Sequence, residues 1–158
     1  MSVPQTDPLA LAARGRELSG MEYIRLIFEG ELPSPPIADL MGFRGVEFER
    51  GRAVFEMTPG PQHYNPIGTV HGGIALTLLD SAMGCAVHTL LDAGVGYTTL
   101  EVKTNFVRPI TAETGPIRCE GTIIHGGSRV ATAEGRLVDA AGRLLAHGTT
   151  TCLIMRPE

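Results

Sequence analysis

Residues 72–91 read GGIALTLLDSAMGCAVHTLL, and the helix this run predicts is apolar on nearly every side. Ala75, Ala82, Gly84 and Ala86 keep it slim enough for close packing. A helix without a polar face has to be buried. A lone buried helix needs a sheet around it, and the flanking sequence supplies strands. Downstream, the runs 97–108, 115–125, 128–138 and 143–154 have strand character and are separated by Pro109, Gly126-Gly127 and Ala141-Gly142. Upstream, Phe43 to Met57 alternates, with Ala53, Phe55 and Met57 on one face and a turn at Glu49-Arg50-Gly51, which predicts a β-hairpin. The order is hairpin, buried helix, antiparallel meander. It predicts an α+β hotdog fold in which five to six antiparallel strands wrap around one long helix.

Ahead of the hairpin, residues 9 to 31 carry Leu18, Met21, Ile24, Leu26 and Ile27 at helical spacing, interrupted at Gly20 and ended by Pro33-Ser34-Pro35-Pro36. Residues 1–36 are therefore expected to form a short helical extension and residues 37–158 the hotdog domain. A chain of 158 residues and 16.8 kDa with 43% apolar residues suits one core. The formal charge of −4 and the lack of any Lys/Arg run argue against a nucleic-acid partner. The opening MSVPQTDPLALAARG lacks the pattern of a secretory signal, and no segment is apolar over a membrane-spanning length. A cytoplasmic protein with no membrane partner is expected. Cys85, Cys119 and Cys152 are three in number and far apart, with no CxxC, so neither a disulfide framework nor a metal site is expected.

The stretch His63-Tyr64-Asn65-Pro66-Ile67-Gly68-Thr69-Val70-His71-Gly72-Gly73 runs directly into the helix that carries Asp80. Together with Thr98-Thr99-Leu100-Glu101-Val102 and Asn105-Phe106-Val107-Arg108-Pro109 it resembles the phenylacetate-degradation type of hotdog thioesterase over roughly residues 40 to 154. The resemblance implies hydrolysis of an aryl- or short- to medium-chain acyl-CoA, with no cofactor beyond the coenzyme A of the substrate. It implies that Asn65 and the Gly72 amide hold the thioester carbonyl and that Asp80 is nucleophile or general base. It also implies that Thr98, with Thr99 beside it, helps position water.

Elementary chemistry supports those assignments. Thioester hydrolysis builds negative charge on the carbonyl oxygen, and free N–H groups at a helix N-terminus stabilise it. Gly72 and Gly73 have no β-carbon to obstruct the approach. Asp80 lies among Leu76, Leu78, Leu79, Ala82 and Met83, which predicts a buried carboxylate with altered reactivity. Thr98 is expected to share the helix-facing side of its strand with Leu100, Val102, Thr104 and Phe106.

Other residues are candidates for substrate contact. His71 suits a loop-positioning hydrogen bond, and His63 suits packing. Arg108, Ser128 and Arg129 could meet coenzyme A phosphates, although solvated arginines have the same sequence signature. The second His-Gly-Gly, at 125–127, falls where a hairpin turn is expected.

Gly72 and Asp80 are eight positions apart on one helix, a separation of about 12 Å at 1.5 Å per residue. If both act on one carbonyl they must come from different chains, so a homodimer with shared active sites is expected, with pairing of dimers into tetramers left open. Two alternatives use the same fold. A hydratase or dehydratase would divide proton transfer between a carboxylate and His71 or His88. A non-catalytic acyl-CoA-binding protein would use the cleft only to bind.

Overall fold

A computed structural model describes residues 7–157; the first six residues of the expected extension and the last residue of the expected domain lie outside that range. Three short helices open the described chain. The first, α1 (Pro8–Arg16), is capped by Asp7, whose carboxylate accepts from the Leu9 and Ala10 amides. The second, α2 (Gly20–Phe28), is capped by Ser19, which accepts from the Glu22 amide. The interruption expected at Gly20 thus falls at residues 17–19, because the Ser19 cap starts a new helix with Gly20 inside it. A third helix, α3 (Pro36–Met41), forms where only a helix-ending proline cluster is expected, since Pro36 occupies the first helical turn, where its missing N–H costs nothing. The expected boundary after residue 36 therefore falls within α3.

The remaining elements are β1 (Phe43–Glu49), β2 (Arg52–Met57), α4 (Gly72–His88), β3 (Gly96–Phe106), β4 (Ile117–Gly126), β5 (Val130–Asp139) and β6 (Leu144–Met155). The six strands form one antiparallel sheet in the order β1-β2-β4-β5-β6-β3. This is the hotdog arrangement, with α4 packed against the sheet. Leu78, Leu79, Ala82 and Met83 are almost fully buried. The sheet makes room for the helix with glycines: a β-carbon on Gly121 would stand 2.4 Å from the Ala82 carbonyl carbon, and one on Gly135 would meet Leu79 and Met83. Ala53, Phe55 and Met57 all point into the core, as their alternation predicts. No helix among the described residues is long and apolar enough to cross a membrane.

Two features of this frame position the site. One is that β3 is an edge strand, paired with β6 on one side only. The other is a β-bulge in β3, where Thr99 pairs with Cys152 and Glu101 with Thr151, leaving Leu100 as the extra residue. The bulge resets the alternation. Before it, Tyr97 and Thr99 face inward and Thr98 is exposed; after it, Val102 and Thr104 face inward. The expected inward face of Thr98, Leu100, Val102, Thr104 and Phe106 therefore holds only beyond the bulge, where the half-exposed Phe106 ring reaches Gly72 at the start of α4; Thr98 and Leu100 are exposed.

Candidate active site

Asp80 lies in the middle of α4, and its Oδ1 accepts a hydrogen bond of 2.9 Å from Thr99 Oγ1. The threonine beside the carboxylate is thus Thr99, and the expectation for Thr98 is corrected by the one-residue phase shift that the bulge introduces. The carboxylate is also half-buried, not enclosed as its apolar neighbours in sequence predict. It opens onto a cavity of about 420 Å3 bounded by α2, α3, β1 and β2. Cys85 and Tyr97 line the same cavity. Burial, and secondarily the Asp80 charge, pushes the Cys85 thiol up to about 12. Burial likewise raises the Tyr97 phenol well above its usual range, with Cys85, Cys152, Asp80 and Tyr23 as lesser electrostatic causes. Both therefore stay protonated at neutral pH, so neither supplies a second anion or a thiolate nucleophile.

The N-terminus of α4 faces a different cavity, of about 350 Å3, lined in part by Asn65, His71, Gly72, Phe106 and Arg108. His71 is the N-cap, and its Nδ1 accepts from the Gly73 amide at 2.9 Å. The Gly73 N–H is thereby occupied, and the Ile74 amide is bonded to the His71 carbonyl. The Gly72 amide makes no hydrogen bond to any described residue. Of the two glycines, Gly72 is the one with a donor available at the positive end of the helix dipole. Asn65 is held in the preceding loop: its Oδ1 accepts from the Ile67 and Thr69 amides, and its Nδ2 donates to Thr69 Oγ1. One Nδ2 hydrogen remains for a ligand.

The other candidates separate. His63 is buried, with Nδ1 accepting from the Gly60 amide, and it lines neither cavity, so the substrate contact proposed for it gives way to a loop-holding role. Arg108 sits at the Gly72 cavity and donates to the Leu144 carbonyl. Ser128 lines a third cavity with Arg50 and Arg156, near the C-terminal end of α4, and Arg129 is exposed nearby. Both lie away from the Gly72 end of the helix because they belong to the β4–β5 turn, which spans residues 127–129; the turn expected at 125–127 falls later because His125 and Gly126 still pair with Thr132 and Ala131. His88 packs between Tyr23 and Tyr97, with ring centroids 5.8 and 5.3 Å away, and desolvation lowers its pKa. Neither His88 nor His71 shares the Asp80 cavity.

Residues 67–146 match the profile of the thioesterase superfamily. A Saccharolobus solfataricus protein named as a candidate esterase is 34% identical over 113 residues, which are 72% of this chain and 79% of that protein. The chain belongs to the thioesterase superfamily. Among solved structures, a Ralstonia eutropha protein named as a candidate thioesterase related to phenylacetic acid degradation is 28% identical, with a TM-score of 0.75, and the match covers 83% of this thioesterase and 98% of that chain. A Streptococcus mutans protein whose crystal structure contains acetyl CoA shares the fold at 21% identity and a TM-score of 0.66, over 73% of this chain and 90% of its own. The thioesterase is accordingly an enzyme of the hotdog class.

Proposed function

We propose that this thioesterase hydrolyses acyl-CoA thioesters in a site built from two chains. Asp80 of one chain serves as nucleophile or general base, with Thr99 orienting it. The Gly72 amide of the other chain, assisted by Asn65, receives the negative charge that develops on the carbonyl oxygen. The observation that carries the reading is the separation of the two halves. Within one chain, Asp80 and Gly72 open onto different cavities, and the helix holds them about 12 Å apart.

The edge strand supports a two-fold assembly that reunites the halves. Thr99, next to Asp80, lies near one end of β3, and Phe106, in the Gly72 cavity, lies at the other. Antiparallel pairing of β3 with a second β3 sets the Thr99 end of one strand beside the Phe106 end of its partner. The unpaired N–H and C=O groups of the edge invite such pairing, and the exposed Leu100 and Phe106 on it favour burial. Acyl-CoA as substrate is supported by the acetyl CoA held by the Streptococcus mutans protein of the same fold. The chemistry proposed for Asp80 and the Gly72 amide calls on no metal ion, which thiol release in the presence of a chelator tests. Three unpaired thiols suit the reducing cytoplasm.

The test is release of free thiol from a panel of acyl-CoAs in the presence of EDTA. The expected result is stoichiometric coenzyme A and free acid. Recovery of a hydrated acyl-CoA in place of free thiol, or tight binding with no turnover on any thioester, would replace this reading with that of a hydratase or of a binding protein.

A further inference from the structure

We infer that the N-terminal helical segment is the wall that measures the acyl group. It would make this enzyme selective for apolar acyl chains of medium length or carrying an aryl ring over two-carbon ones. The inference rests on the placement of the thioester at Asp80 given above, and it assigns a role to a segment that lies outside the matched family profile.

The cavity that opens at Asp80 continues away from it between the extension and the first hairpin. On one side stand Ile24, Ile27 and Phe28 of α2, and on the other Phe43, Phe48 and Phe55 of β1 and β2. The two sides are joined by aromatic contacts: Phe28 meets Phe48 edge-on at 5.8 Å, and Phe48 meets Phe55 edge-on at 5.7 Å. Ile37 and Ala38 of α3 add to the same lining. An acyl group bonded to a carbonyl near Asp80 therefore meets aliphatic and aromatic surface, which selects for apolar chains. At about 420 Å3 the cavity lies within the roughly 300–1,000 Å3 usual for sites that enclose a small molecule. An acetyl group would leave most of it empty.

The extension is fixed to the domain at defined points, as a measuring wall must be. The Gly20 amide donates to the Leu91 carbonyl and the Gly94 amide to the Arg16 carbonyl. Gly20 approaches α4 so closely that a β-carbon there would stand 1.8 Å from the His88 carbonyl oxygen. Tyr23 packs its ring on His88 from the same helix. With α2 seated this way, Ile24 is buried, and Ile27 and Phe28 remain at the cavity.

The experiment changes the depth of the cavity at Ile27 and reads specificity constants for acetyl-, butyryl-, octanoyl- and benzoyl-CoA. Ile27→Trp should lower the values for octanoyl- and benzoyl-CoA by about 10- to 100-fold, the scale of discrimination a hydrophobic pocket gives, and leave the acetyl value within about 3-fold. Ile27→Ala should shift the preference towards longer chains. The chain has no tryptophan, so Phe28→Trp provides a sole indole at the cavity, and its emission should change saturably with octanoate but not with acetate. Failure of the unmodified enzyme to release thiol from any acyl-CoA would overturn the thioesterase reading itself. Thiol release that both Ile27 variants scale equally across the panel, or an octanoate titration without an emission change, would overturn the inferred wall.

Discussion

Asp80→Asn is expected to leave a folded protein whose turnover of acyl-CoA falls by about 10²- to 10⁴-fold, the loss typical when a positioned base or nucleophile is removed. The substitution is nearly isosteric. Asn Oδ1 can still accept from Thr99 Oγ1, and the half-buried position tolerates a neutral amide, so thermal stability should change little. Nothing nearby can substitute for the carboxylate. The Cys85 thiol is held protonated by burial, the Tyr97 phenol likewise, and His88 is packed outside the cavity. Stopped assays of thiol release alongside a melting curve check the prediction, and wild-type turnover in Asp80→Asn would remove Asp80 from the mechanism. His71→Ala makes the informative companion. That substitution removes the Nδ1 cap on the Gly73 amide, so it is read with a melting curve: loss of activity in a His71→Ala protein that stays folded, beside wild-type turnover in Asp80→Asn, would transfer the base to the histidine.

The second large effect is expected at the helix terminus, where the donor belongs to the backbone and only a proline can delete it. Gly72 is the first residue of α4, a position at which proline is well tolerated because the amide has no partner within the helix. The preceding His71 has φ −59° and ψ 134°, the extended conformation that a following proline requires. Gly72→Pro should therefore preserve the fold and lower kcat by about 10²- to 10³-fold, the usual cost of one lost oxyanion donor. Gly72→Ala is the control for bulk. It keeps the N–H and adds only a β-carbon, 3.1 Å from the flexible end of the half-exposed Phe106 ring. Equal losses in the two variants would assign the effect to crowding and not to the amide.

The fold was legible from the one long run at 72–91, because a helix with no polar face admits few surroundings, and the strand limits agree with the structure to within about two residues. The positions of Gly72 and Gly73 at the helix start and of Asp80 within the helix were legible too, since they follow from spacing along a single helix. What could not be read was set by contacts distant in sequence or by a local break in period. The bulge at Leu100 moves Thr99 onto Asp80 in place of Thr98, and alternation in the sequence carries no mark of an extra residue. Apolar spacing in α2 shows that Ile24 and Ile27 need cover, but not that they cover a cavity ending at Asp80. The exposure of Asp80 follows the same logic. Leu78, Leu79, Ala82 and Met83 are buried against the sheet, whereas Asp80 turns towards the gap between α4 and the extension.

The proposed active site takes Asp80 from one chain and Gly72 from the other, a pairing that subunit complementation reads out. Gly72→Pro and Asp80→Asn each damage both sites of their own homodimer. In a mixed dimer the two lesions fall together in one site and leave the other intact. Co-refolding equal amounts gives about half mixed dimers by random pairing, each with one working site, so roughly a quarter of wild-type activity should return. Native mass spectrometry counts the mixed dimers in the same sample. Recovery in proportion to that count is the result predicted, and mixed dimers as inactive as either parent would show that Gly72 and Asp80 do not serve one thioester from opposite chains.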